Sequence, residues 1–176
     1  AGNVQRVDPN PTLALIDLYL NQHQGELALT AAKELAGKFA INLKVQLALA
    51  RTYLANGATS DARAVLTGAT RLAEFDPRSQ VAIARMQLAA ANPDGAAYSV
   101  YKALQGNPGD IAALALAVQV EARRGDVAKA DVALKALSAK HPAAIETARA
   151  GADLAMSRGQ FSAAIAGYHK LLSREE

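Results

Sequence analysis

A chain that repeats one pattern of small and large side chains at a fixed step has few folds open to it. Each copy forms the same unit and buries its apolar face on the next. In these 176 residues the step is 34. Counted from Ala62 it lands on Ala28, Ala96, Ala130 and Ala164. Alanine fills 42 positions, so one column of alanines is weak evidence and others must agree with it. Four residues after each marker stand Ala32, Leu66, Val100, Leu134 and Tyr168, and seven after stand Leu35, Ala69, Ala103, Leu137 and Leu171. Twelve before stand Ile16, Ala50, Ala84, Val118 and Ala152, and thirteen before stand Leu15, Leu49, Ile83, Ala117 and Gly151. Every one is apolar or glycine. Five before, Gly57, Gly125 and Gly159 share a position where His23 and Ala91 depart from glycine.

The frame divides the chain into 9–42, 43–76, 77–110, 111–144 and 145–176, with 1–8 reading as the end of a preceding repeat or a linker. Apolar spacing inside each unit is helical, with a break between two helices of about a dozen residues. In the second unit the spacing predicts helices over about 44–55 and 60–69, with Ser60 as N-cap and Gly57 taking the positive φ of the turn. Asn92-Pro93-Asp94-Gly95 predicts the turn of the third unit. Pro77, Pro108 and Pro142 separate units, since proline stops the helix before it. Asp8-Pro9 and Asp76-Pro77 fall at the same boundary. Ala50 and Ala62 fall where the two helices of a unit cross, and side chains that small let the axes approach to about 8–10 Å.

Composition narrows function mainly by exclusion. Net charge is +3 without a basic stripe, and aromatics are 5% without tryptophan, which argues against a nucleic-acid partner. Absence of cysteine removes disulfides and thiolate metal sites. No apolar run reaches membrane-spanning length, so no membrane insertion is expected of these residues. Starting at Ala1 rather than Met, the chain reads as a cut piece or processed form. His23, His141 and His169 are scattered, without the spacing of a helical metal site, and read as surface or packing residues. No phosphate loop, nucleophile elbow or dinucleotide fingerprint is present. The expectation is no catalytic residue, no metal and no cofactor. Glu175-Glu176 reads as a frayed terminal charge pair. The tyrosines read as core filler, with Tyr98 the one expected at the surface.

This pattern resembles the tetratricopeptide repeat over nearly the whole chain. Leu49-Ala50, Tyr53, Gly57, Ala62, Leu66 and Ala69 fall on the signature positions of that family, and Gly159, Phe161, Ala164 and Tyr168 repeat part of them. The early large aromatic of the family is replaced by Thr12, Gln46, Gln80, Leu114 and Ala148, and its closing proline survives only as Pro108 and Pro142. The resemblance implies an all-α, right-handed α-solenoid of about five tandem helix-turn-helix repeats, acting as a protein-binding scaffold. The asparagine and lysine set of the family's carboxylate clamp is missing, with Ala48, Ala82 and Leu116 in place of the amides. In style, the Ala/Leu-rich units with Gly-Asp and Gly-Glu turns also resemble the tetratricopeptide lipoproteins of the PEP-CTERM/exosortase exopolysaccharide system. That resemblance implies a periplasmic or outer-membrane-associated location.

Such repeats leave one face of each first helix lining a concave groove. Helical spacing puts Lys44, Leu47, Arg51 and Leu54 on that face in the second unit and Arg78, Val81, Arg85 and Leu88 in the third, with Arg123 and Arg149 extending it. In a regular stack Arg51 sits beside Arg85 and Leu54 beside Leu88. The same column reads Asp17, Arg51, Arg85, Gln119 and Asp153, so Asp17 is able to pair with Arg51 and satisfy it without a ligand. The expected partner is a protein segment with acidic and apolar side chains. The alternatives are a structural spacer, a homo-oligomer formed through an exposed end, and the regulatory repeat region of a larger polysaccharide-synthesis or export protein.

Overall fold

The computed structural model describes residues 8–173, so the expectations for 1–7 and for Glu175-Glu176 lie outside the described residues. Those residues are all-α: ten helices form five helix-turn-helix pairs and no strand occurs among them. The chain divides into two compact units at Ala73/Glu74.

Residues 8–73 hold α1 (Asn10–Asn21), α2 (Gly25–Lys38), α3 (Leu43–Ala55) and α4 (Thr59–Leu72). Their core gathers Ile16, Ala28, Ala32, Leu35, Val45 and Leu49, with Tyr19 and Tyr53 packed at its edge. Residues 74–173 hold α5 (Pro77–Ala89), α6 (Pro93–Gly106), α7 (Ile111–Arg124), α8 (Val127–Lys140), α9 (Ile145–Ser157) and α10 (Phe161–Leu172). One core there joins α5, α6 and α7 through Ala84, Ala96, Val100 and Leu116. A second joins α7, α8 and α9 through Val118, Ala130, Leu137 and Leu154. Full burial of each Leu or Val contributes about 1.5–3 kcal/mol.

The alanine markers are where the periodicity puts them. Ala28, Ala62, Ala96, Ala130 and Ala164 are all 0% exposed. Ile16, Ala50, Ala84, Val118 and Ala152, the residues twelve earlier on the partner helices, are buried too. At the α9–α10 crossing Gly167 lies directly on Ala152.

All five pairs turn in the same way. The position shared by His23, Gly57, Ala91, Gly125 and Gly159 has φ of 58°, 72°, 53°, 77° and 70°. The next residue then donates its N–H to the carbonyl five back, from Gln24, Ala58, Asn92, Asp126 and Gln160 to Tyr19, Tyr53, Gln87, Glu121 and Ala155 at 2.8–3.0 Å. This is a Schellman-type closure, which satisfies carbonyls the helix end leaves open. It corrects two expectations. Asn92-Pro93-Asp94-Gly95 is not the turn between helices. Ala91 makes the left-handed step, Asn92 caps α6 through Gly95 N–H at 3.1 Å, and Pro93 opens the helix. Ser60 is not the N-cap of α4. The turn bond fixes Ala58 there, without a side-chain cap, and Ser60 lies inside the helix.

Three of the five first helices, α3, α5 and α7, start on acidic or amide caps, whereas α1 and α9 follow Pro9 and Ala144. Asn42, Asp76 and Asp110 accept from Val45, Arg78 and Ala113 N–H at 3.3, 3.1 and 2.8 Å. At the Asp-Pro boundaries, Asp8 accepts from Asn10 N–H at 3.0 Å, matching Asp76 and Arg78. Side chains at the C-terminal ends of three first helices reach back to the second helix of the preceding pair. Asn56 donates to Gly25 O at 3.0 Å, Arg124 pairs with Asp94 at 2.9 Å, and Arg158 pairs with Asp131 at 2.7 Å.

Candidate functional site: the α5–α7–α9 groove

A groove of about 1070 Å³ runs across α5, α7 and α9 within residues 74–173. Residues 34 apart stand in register on its wall: Arg85, Gln119 and Asp153 all line it. Its apolar surface comes from Leu88, Ile111, Ala112, Ala115, Leu116 and Met156. Arg85, Arg123, Arg149 and Glu146 supply the remaining charge. None of these four is in an ion pair among the described residues. Asp153 is engaged, because the Tyr168 hydroxyl of α10 donates to its carboxylate at 2.5 Å. That bond holds the phenolic proton and raises the Tyr168 pKa above its ordinary value, with desolvation adding to it.

Of the residues expected to line a groove, Arg85, Leu88, Arg123 and Arg149 are brought together here. Val81 is a correction: it is only 8% exposed and packs into the α5–α6–α7 core. It sits one turn before Arg85, where α5 leans on α7, so the neighbouring helix covers it. Arg78 is exposed in the first turn of α5 and does not line the groove.

Lys44, Leu47, Arg51 and Leu54 belong to the other unit. Lys44 and Arg51 are exposed on α3, and Leu47 and Leu54 are half-buried. Arg51 pairs with the Asp17 carboxylate on α1, one repeat earlier. Exposed pairs of this sort contribute about 0–1 kcal/mol, but this one satisfies the cation that the sequence left open to a ligand.

Glu146 and Tyr168 are groove residues that were not foreseen. Glu146 had a signal: it lies three before Arg149 and so shares its helix face. Tyr168 had none, because the equivalent positions Leu66 and Val100 are buried core residues. Tyr101 also departs from its reading, being 58% exposed, with its hydroxyl accepting from Gln105 at 2.7 Å.

Among the described residues no group of three His, Asp or Glu side chains is placed to hold a metal ion, and no helix is long and apolar enough to cross a membrane. His141 is tied to Gly109 O at 2.8 Å.

Helix order, the repeated turn and the buried small-residue columns define the fold as that of a tetratricopeptide-repeat protein. No protein-family profile and no curated protein matches the chain. Solved structures do. The putative kinesin light chain of Podosopora anserina, with nearly identical TPR-like repeats, is 19% identical, covering 94% of this chain and 93% of that chain with a TM-score of 0.73. A tetratricopeptide repeat protein from Parabacteroides merdae is 16% identical, covering 97% and 66%, with a TM-score of 0.78. MamA from Desulfovibrio magneticus, residue 41 to the end, is 14% identical over 94% of both chains, with a TM-score of 0.68.

Proposed function

We propose that this protein is a non-enzymatic scaffold and that the α5–α7–α9 groove of residues 74–173 holds a segment of a partner protein. The observation that carries this is the pairing of an apolar floor with three arginines, Arg85, Arg123 and Arg149, that no ion pair satisfies among the described residues. Surface cations are ordinarily indifferent, but cations that rim a concave apolar surface are placed to select and steer a ligand carrying carboxylates. A groove of about 1070 Å³ is at the upper end for small-molecule pockets, which suits a peptide. Leu88, Leu116 and Met156 supply apolar contact and the arginines supply charge.

The same reasoning treats the other unit differently. There the Asp17–Arg51 pair favours a structural role for the α1–α3 face, without a partner. An envelope setting, in PEP-CTERM sorting or polysaccharide export, rests only on the style of the repeats. It is tested by the flanking sequence, in which a lipobox would support it and a catalytic domain would favour the regulatory-region reading.

The groove is tested by titrating fluorescent peptides that alternate acidic and large apolar residues against wild type and Arg85→Glu/Arg123→Glu. Wild type should bind and the double variant should lose roughly tenfold or more in affinity. Equal binding by both proteins would retire the groove.

A further inference from the structure

The charges of the groove are not mixed evenly; they are sorted by helix. The α5 and α7 side presents Arg85 and Arg123, with the neutral Gln119 one turn before Arg123 on α7. The α9 side presents Glu146 and Asp153 with Arg149 between them. One side therefore carries two positive charges and no negative one, and the other carries two negative charges and one positive. Within α9, Arg149 stands three residues after Glu146 and four before Asp153, so both acids flank it on its own helix face. Its charge is offset on its own helix face, whereas no acid stands three or four residues from Arg85 on α5, and the two carboxylates near Arg123, Asp94 and Asp126, are held by Arg124 and Lys129. Apolar surface from Leu88, Ala115 and Met156 lies along the same groove.

We propose that the occupant is a two-edged polypeptide segment: carboxylate side chains along one edge, Lys or Arg along the other, and apolar residues between. It lies with its acidic edge on Arg85 and Arg123 and its basic edge on Glu146 and Asp153. This deepens the groove reading given above and rests on it. A uniformly acidic segment gains on Arg85 and Arg123 but meets two carboxylates on α9, so it binds more weakly than a two-edged one. A uniformly basic one meets Arg85 and Arg123. Only a segment with both signs finds complementary charge on each side, and only one of the two orientations across the groove does so. The Tyr168 hydroxyl, already donating to Asp153, leaves the second carboxylate oxygen of that residue for a cation.

Selection from a random library of sixteen-residue peptides displayed on phage tests this, using the whole chain as bait. Wild type should enrich peptides carrying acidic and basic residues on opposite edges. A synthetic copy of the consensus should bind Arg123→Glu roughly tenfold more weakly, and Glu146→Lys should weaken it by a similar factor while strengthening a copy in which every basic residue is made acidic. A uniformly acidic or purely apolar consensus, or indifference to Glu146→Lys, overturns the two-edged segment but leaves the groove standing. Failure to enrich any peptide, or enrichment that Arg85→Glu/Arg123→Glu leaves unchanged, overturns the groove itself and this proposal with it.

Discussion

Gly167 lies so close to Ala152 that a Cβ added to the glycine would stand 2.8 Å from the alanine Cβ. Neither group has a flexible end to move aside. Gly167→Ala should therefore overpack the α9–α10 crossing by about 1–3 kcal/mol, offset by about 1 kcal/mol of helix propensity. Gly68, inside α4, is the control: nothing lies within 4 Å of its added Cβ. Gly68→Ala should stabilise by about 0.5–1 kcal/mol. Urea midpoints should move in opposite directions for the two variants. Ala62→Leu at the α3–α4 crossing should lose about 1–3 kcal/mol in the same assay.

Ala91 has a φ of 53°, in the region that disfavours a side chain, and Gly125 occupies the matching place with a φ of 77°. Ala91→Gly should gain up to about 1 kcal/mol as relief of the left-handed strain outweighs the greater freedom of glycine in the unfolded chain. Gly125→Ala should lose about 1 kcal/mol for the same reason. Thermal melts that ranked the two variants the other way would contradict the shared turn.

Asp76 caps α5 and also accepts from the Ser79 hydroxyl at 2.5 Å. That side-chain hydrogen bond, helped by the Ser79 and Arg78 N–H groups against a smaller effect of burial, holds its pKa below the ordinary value. A depressed folded pKa means the contribution is present above the unfolded value of about 3.9 and fades as the pH falls through the folded one. Asp76→Ala should cost about 1 kcal/mol near neutrality, a gap that closes in melts taken progressively below about pH 4.

Tyr168 and Asp153 give a spectroscopic check. The hydrogen bond to Asp153 raises the phenol pKa, so its contribution is complete below the unfolded value of about 10 and is lost as the pH rises through the folded one. Absorbance at alkaline pH should show a late-titrating tyrosine that is absent in Tyr168→Phe and moves to lower pH in Asp153→Asn. A Tyr168→Phe protein with an unchanged curve would remove the bond.

The architecture was legible because its strongest determinant is periodic. Ala62 and its four counterparts mark the helix crossings, and nothing distant in the sequence is needed to place them. What escaped the reading was imposed by the hydrogen bond that closes each turn and by packing between helices. His23 and Ala91 take the left-handed step despite their side chains because the bond to the carbonyl five residues back fixes the turn. Ser60 has the chemistry of a cap but stands two residues past where that closure starts α4. At the groove, Arg85, Leu88, Arg123 and Arg149 followed from helical spacing alone, whereas Val81 is covered by a neighbouring helix that spacing does not locate. Tyr168 entered from α10, whose side chains the first-helix register says nothing about.

Five fully buried alanines have one further consequence. A methyl group is the smallest side chain that still fills a crossing, so few substitutions are tolerated there, while outward positions answer only to helix propensity. Chains that keep such columns can exchange nearly every surface residue and still close the same backbone. Ligand preference is then free to drift without any threat to folding.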